Sequence, residues 1–340
     1  MVNEFLSKEP SLDDYWRGII LYGRNSASYK FALAKSLLEI SPQSGQLLKL
    51  YDLAPVFARH IIEHIKHSPK QGTNSNQGKF LQAINSHGIE LPNNEKLIEE
   101  TVRYGFVNVI NAFHIVGSGE ISKRFYIDER SSNKGIRITE EFSALQSQIR
   151  IDNLQTEVES RWRLVETAWG LGISANLIQI QHDAENKQLF TFDNANRRKT
   201  VTSSRGALNG YQRGKCFYCR CEIDVNNGAE TDVDHFFPHV LAKDQSFELI
   251  NGIWNLVLSC KTCNAGVDGK HAKIPTVDLL SRLHKRNNYL IDSHHPLRET
   301  LMNQTGKSEL ERRRFLGEYH SKAISKLFHT WQPEDDGGNF

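Results

Sequence analysis

Residues 216–239 read CFYCRCEIDVNNGAETDVDHFFPH, and residues 254–263 read WNLVLSCKTC. Together these two stretches hold all five cysteines of a 340-residue chain. Cys216 and Cys219 form one Cys-x-x-Cys pair, and Cys260 and Cys263 form another about 40 residues later. Zinc takes four soft ligands in a tetrahedron, and two such knuckles supply two thiolates each. The spacing therefore predicts a structural zinc ion on Cys216, Cys219, Cys260 and Cys263. It would staple a small module whose apolar core is too slight to hold it together alone. Cys221 is left over and is expected to pack or to face solvent. An odd cysteine count in two matched pairs suits an intracellular metal site better than a disulfide framework.

Around this segment the chain has ordinary globular composition, 39% hydrophobic and 24% charged. Its formal net charge of +2 excludes a polycation that coats nucleic acid along its whole length, so a nucleic-acid surface would have to be a local patch. The opening MVNEFLSKEPSLDDYW has no basic region leading into an apolar run, and no apolar stretch is long enough for a bilayer. A cytoplasmic location without membrane contact is expected.

Working outward, residues 1–205 read as a mainly helical domain with two β-hairpins. SLDDYWRGIILYG (11–23) offers Ser11 as an N-cap and acids in the first turn. SYKFALAKSLLEI, LAPVFARHIIEHIKH and NEKLIEETVRYGFVNVINAFHIV read as further helices. NLQTEVESRWRLVETAWGLG places Leu154, Val158, Trp162, Val165 and Trp169 on one helical face. Residues 124–138 and the stretch NLIQIQHDAENKQLFTFD read as hairpins. The zinc-stapled module is expected over 206–275, basic helices over 276–331 and a tail over 332–340. The fold class is α+β.

Between the cysteine pairs lie DVDHFFPH and NGIWNLVLSCKTCN. Asp-His after a short strand, then Pro, then Asn-Leu ahead of Cys-x-x-Cys-Asn resembles the HNH, or ββα-metal, endonuclease motif of bacterial proteins over about residues 216–270. The resemblance implies a ββα-metal fold and metal-dependent cleavage of phosphodiesters, in DNA, in a restriction or anti-phage setting. It implies His235 as general base, since neutral imidazole titrates near working pH. It places Asp234 and Asn264 on a catalytic divalent ion, for which one carboxylate and one amide oxygen suit magnesium or manganese. It gives Asn255 the task of pinning the loop that carries His235. Successive residues of a strand point to opposite faces, so Asp234 and His235 can share a site only where the strand ends or twists. Relatives often carry a lysine two or three residues after the helix asparagine. Here Lys270 comes six residues after Asn264, and it receives no role.

Residues 271–331 hold eleven Lys and Arg against six Asp and Glu. Beside a nuclease motif such an excess would track phosphates. Lys285, Arg286 and Arg298 are the expected contacts, while Arg312, Arg313 and Arg314 on one helix cannot all face one strand. Partner proteins of a defence system would dock on the N-terminal domain. The rival reading is a zinc-stapled adaptor that binds nucleic acid without cutting it.

Overall fold

In the computed structural model the described residues are 10–22, 27–72, 78–87, 94–116, 119–148, 151–171, 180–183, 188–192, 197–292 and 297–334. They build a mixed α+β chain of helices and small sheets. It divides into two compact units, Met1–Gly172 and Ile173–Phe340.

The first unit runs α1 (Leu12–Tyr22), α2 (Tyr29–Ile40), β1 (Leu47–Lys49), α3 (Leu50–His67), α4 (Lys79–His87), α5 (Glu95–Glu100), α6 (Val109–Ala112), β2 (Ile115–Val116), β3 (Gly119–Glu120), β4 (Tyr126–Glu129), α7 (Arg130–Asn133), β5 (Gly135–Ile138), α8 (Glu140–Gln148) and α9 (Ile151–Leu171). Ser11 caps α1 through a reciprocal pair: its Oγ accepts from Asp14 N–H, and its own N–H donates to Asp14 Oδ2. β4 and β5 form the expected hairpin, and β1 adds to β5 as a third antiparallel strand. The single helix expected over 94–116 is broken instead. A π-helical turn, Thr101–Gly105, separates α5 from α6, and Ile115 already lies in β2. The Gly105 Cα lies against Phe57, where a β-carbon would come within 3.2 Å of the ring, so close packing fixes the path there.

Leu154, Val158, Trp162, Val165 and Trp169 of α9 are all buried in the core, as their spacing predicts. The same helix also buries polar groups against partners. Arg17 pairs with Glu157, and the His64 ring stacks on Trp162 at 3.4 Å. His64 also hydrogen-bonds Glu166 at 2.8 Å and Glu159 at 3.1 Å. Burial alone would depress the His64 pKa, but the two carboxylates outweigh it and raise it.

The second unit contains β6 (Gln181–Asp183), β7 (Gln188–Phe192), β8 (Arg198–Ser203), α10 (Ser204–Gln212), β9 (Thr231–His235), β10 (Leu256–Cys260), α11 (Lys261–Ala265), β11 (Ile274–Pro275), α12 (Val277–Asp292), α13 (Arg298–Thr305), α14 (Glu309–Leu327) and β12 (Thr330–Trp331). The expected hairpin β6–β7 gains β8 as a third antiparallel strand. This sheet falls in the second unit, so the division lies near 172 rather than at 205. Two contacts explain why: β8 runs directly into α10, and Ile180 N–H donates to Thr300 Oγ1 of α13 at 3.1 Å. α14 opens with a capping box in which Ser308 and Glu311 satisfy each other's backbone N–H groups. No helix among the described residues is long and apolar enough to cross a membrane.

Candidate active site and metal centre

Two strands and one helical turn carry the residues singled out in the sequence. β9 and β10 are antiparallel, with His235 opposite Leu256, Asp234 opposite Val257 and Thr231 opposite Cys260. β10 ends at Cys260, and α11 starts at the next residue with Cys263 and Asn264 inside its single turn. Gln212, at the end of α10, takes the place of a further strand. Its amide donates to Leu258 O and accepts from Leu258 N–H, both at 2.8 Å.

The cysteine centre forms where the first knuckle folds back on itself. Cys216 N–H donates to Cys221 O at 2.8 Å, and Arg220 takes a left-handed φ of 67° to close the turn. Phe217 N–H then docks the knuckle on Leu258 O. From α12, Arg282 donates to the carbonyls of Phe217 and Tyr218. The sulfurs of Cys216, Cys219, Cys221 and Cys260 lie within 4.8 Å of one another and could hold a metal ion. Cys221 faces solvent, one of the two expected outcomes, yet its sulfur also lies in this group because the turn returns it to Cys216. Cys263 lies beside this group, and its N–H donates to Cys260 Sγ at 3.4 Å. Four sulfurs thus converge, the number that zinc takes, with Cys263 next to them. Without a cation they cannot all ionise. The hydrogen bond from Cys219 leads in pushing the Cys216 thiol up to about 11, while Cys219 itself is driven down. A divalent cation would hold such thiols deprotonated, so the donor set fits zinc.

Asp234 is buried. Its Oδ2 accepts from the Tyr218 hydroxyl at 2.7 Å and pairs with Lys270 Nζ at 3.2 Å. No hydrogen bond from a described residue reaches its Oδ1. Burial raises the Asp234 pKa against the pull of Lys270, and burial lowers that of Lys270. Asn264 donates from Nδ2 to Asp232 Oδ2 at 2.9 Å, and no hydrogen bond from a described residue reaches its amide oxygen. One hard oxygen on each of Asp234 and Asn264 is compatible with magnesium or manganese.

β9 ends at His235. Its side chain leaves toward Asn251, where Nε2 meets Oδ1 at 3.0 Å, while Asp234 turns toward Tyr218 and Lys270. With Nε2 donating to that amide oxygen, Nδ1 carries the lone pair. Burial first, then His239 and His182 nearby, push the His235 pKa down to about 4, so the ring is neutral at pH 7. Asn255 is fully buried. Its amide donates to Phe237 O and Ile250 O and accepts from Phe237 N–H, cross-tying the segment that follows His235.

Lys270 was missed because it sits six residues beyond Asn264. A tight loop returns it: Lys270 N–H donates to Cys263 O at 2.7 Å and His271 N–H to Asn264 O at 3.0 Å. Glycine is required in that loop, since a β-carbon at Gly266 would lie 2.5 Å from Thr262 O. The Lys270 ammonium, 1% exposed, donates to His235 O at 3.0 Å as well as facing Asp234. It therefore links the two residues that strand geometry sends apart. Asn251 and His182 also lie beside His235 and carried no signal in the sequence.

The basic residues divide. Arg286 does not face solvent as expected: it is 1% exposed and donates to Trp254 O at 2.9 Å. It lies on the inner face of α12, beside Leu283, Asn287 and Leu290, which are also buried. Burial pushes its pKa down to about 9. Lys285 is exposed, and Arg298 is half-buried with Nε against Met302 Sδ. Arg312 is buried and donates to Asn288 Oδ1, while Arg313 and Arg314 are exposed. His294 and His295 lie outside the described residues.

No protein-family model matches the chain, and no solved structure does. Among curated proteins, Septu protein PtuB of Bacillus thuringiensis is 30% identical over 131 residues, which is 36% of this chain and 49% of that protein. The matched part thus spans about half the length of that relative.

Proposed function

We propose that this protein is a metal-dependent endonuclease that hydrolyses phosphodiester bonds in DNA. The observation that carries the reading is the pairing at the end of β9. There a neutral His235 is oriented by Asn251 through Nε2, next to an Asp234 carboxylate that keeps one oxygen unengaged. His235 Nδ1 takes a proton from a water molecule as that water attacks the phosphorus. Asp234 Oδ1 and Asn264 Oδ1 would hold the catalytic magnesium or manganese. When bound, that ion would polarise the phosphate and offset the charge that develops in the transition state. Asn255 and Lys270 keep the His235 backbone in register, Asn255 through Phe237 and Lys270 through the His235 carbonyl.

Exposed Lys285, with Arg298, Arg313 and Arg314, gives the C-terminal helices a phosphate-tracking surface that reads backbone rather than base sequence. Similarity to a Septu protein supports work in defence against phage, with the Met1–Gly172 unit as the docking part for partner proteins. The test is supercoiled plasmid incubated with purified protein and magnesium, manganese or EDTA. Nicked or linear product with metal and none with EDTA is expected. Plasmid that is bound but intact in every metal would overturn the reading.

A further inference from the structure

His182 stands in the middle of β6, opposite Leu189 of β7, and is 9% exposed. Among the described residues neither Nδ1 nor Nε2 has a hydrogen-bond partner. Its ring approaches that of His235 edge to face, with centroids 6.1 Å apart, and on its own account His235 also lies 5.1 Å from His239. Leaving a buried polar nitrogen unpaired costs on the order of 1–3 kcal/mol. Folded proteins keep such groups where something other than packing uses them. Packing alone would be served better by leucine at this position. The strand is also held firmly, by the Ile180 bond to Thr300 at its start and the β7 ladder along its length.

We propose that His182 is a second substrate-binding imidazole of this site: its ring N–H donates to a non-bridging oxygen of the phosphate that His235 acts on. The inference rests on the nuclease reading above and adds a group from a sheet that lies outside the ββα segment. Two other roles fit less well. A proton relay needs a hydrogen bond between His182 and His235, and none exists. A three-imidazole metal site needs converging nitrogens, and among the described residues the cysteines alone converge in that way. A neutral N–H in a dry position suits an anionic oxygen, because it arrives already desolvated and fixed in direction. Burial, which pushes the His182 pKa down to about 4, keeps the ring in that neutral form.

The test compares wild type, His182→Leu, His182→Gln and His235→Ala in plasmid cleavage with manganese, alongside thermal melting. His182→Leu should melt at or above the wild-type temperature, because it removes two unpaired buried nitrogens. It should also cleave about 10- to 100-fold more slowly, in kcat more than in KM. His182→Gln keeps an N–H donor and should recover part of that loss. A Leu variant that cleaves at the wild-type rate overturns the proposal and leaves the nuclease reading standing. A Gln variant no better than Leu overturns the donor role. Wild type that cleaves no plasmid in any metal removes the nuclease reading, and this proposal with it.

Discussion

Replacing Lys270 with methionine keeps most of the side chain's volume and removes one charge from a buried pair. The ammonium is 3.2 Å from Asp234 Oδ2 and 3.0 Å from His235 O, and it is 1% exposed. At an effective dielectric constant near 20, a unit pair at that separation attracts by about 5 kcal/mol. Breaking a buried pair by deleting one member typically costs about 3–5 kcal/mol. The Tyr218 hydroxyl remains on the carboxylate, so the lower end, about 3 kcal/mol at pH 7, is expected. For a unit of ~170 residues that is a melting shift of roughly 6–12 °C. The loss should be smaller in acid. Without Lys270 the folded pKa of Asp234 rises further above its unfolded value, so its penalty is absent below that unfolded pKa and grows as pH rises through the folded one. Magnesium or manganese should restore part of the stability if a divalent ion can sit on Asp234 Oδ1. Calorimetry at pH 5 and pH 7, with and without manganese, reads all three effects. A variant within about 1 kcal/mol of wild type at pH 7 would show that the pair contributes little and refute the reasoning.

Three further outcomes are expected. Cys216→Ser or Cys260→Ser should lower bound zinc, measured by elemental analysis, and destabilise the second unit, while wild type without zinc would remove the assignment. His235→Ala should slow cleavage by roughly two to four orders of magnitude with DNA affinity in a binding titration unchanged, and cleavage at the wild-type rate would make the ring structural. His114 is buried, accepts a hydrogen bond from Phe125 N–H at 3.0 Å, and is held near a pKa of about 3 by burial with Arg124 and Lys30 nearby. Its unfolded form binds a proton first as pH falls, so its contribution to stability is complete above about 6.5 and is lost toward 3. In urea titrations His114→Gln should flatten that loss by up to about 1.4 kcal/mol per pH unit, and an unchanged slope would exclude the effect.

The sequence made the local parts of the candidate site legible. Cysteine spacing, the short Asp-His strand and Asn264 after the second knuckle all depend on residues close in the chain, and the register of β9 and β10 brings them together. Features set by tertiary packing were not legible. Arg286 looks like any basic helix residue until α12 turns that face onto Trp254. Lys270 returns to Asp234 only because Gly266 permits a tight loop, and His182 meets His235 across two separate sheets. Cys221 read as a spare thiol because pair spacing says nothing about where the knuckle turns back. The break at Thr101–Gly105 had no proline to announce it.

The helix α11 is five residues long, and Cys263 and Asn264 are neighbours within it. A single peptide bond therefore joins a thiol of the cysteine centre to an amide of the proposed catalytic centre, with no slack between them. If each centre takes its own ion, the two occupancies are thermodynamically conjugate: whatever factor zinc adds to manganese affinity, manganese adds to zinc affinity. A chelator that removes only the sulfur-bound ion would then appear in assays as weakened activation by manganese. Graded zinc loading would move the activation curve sideways before it lowered the plateau.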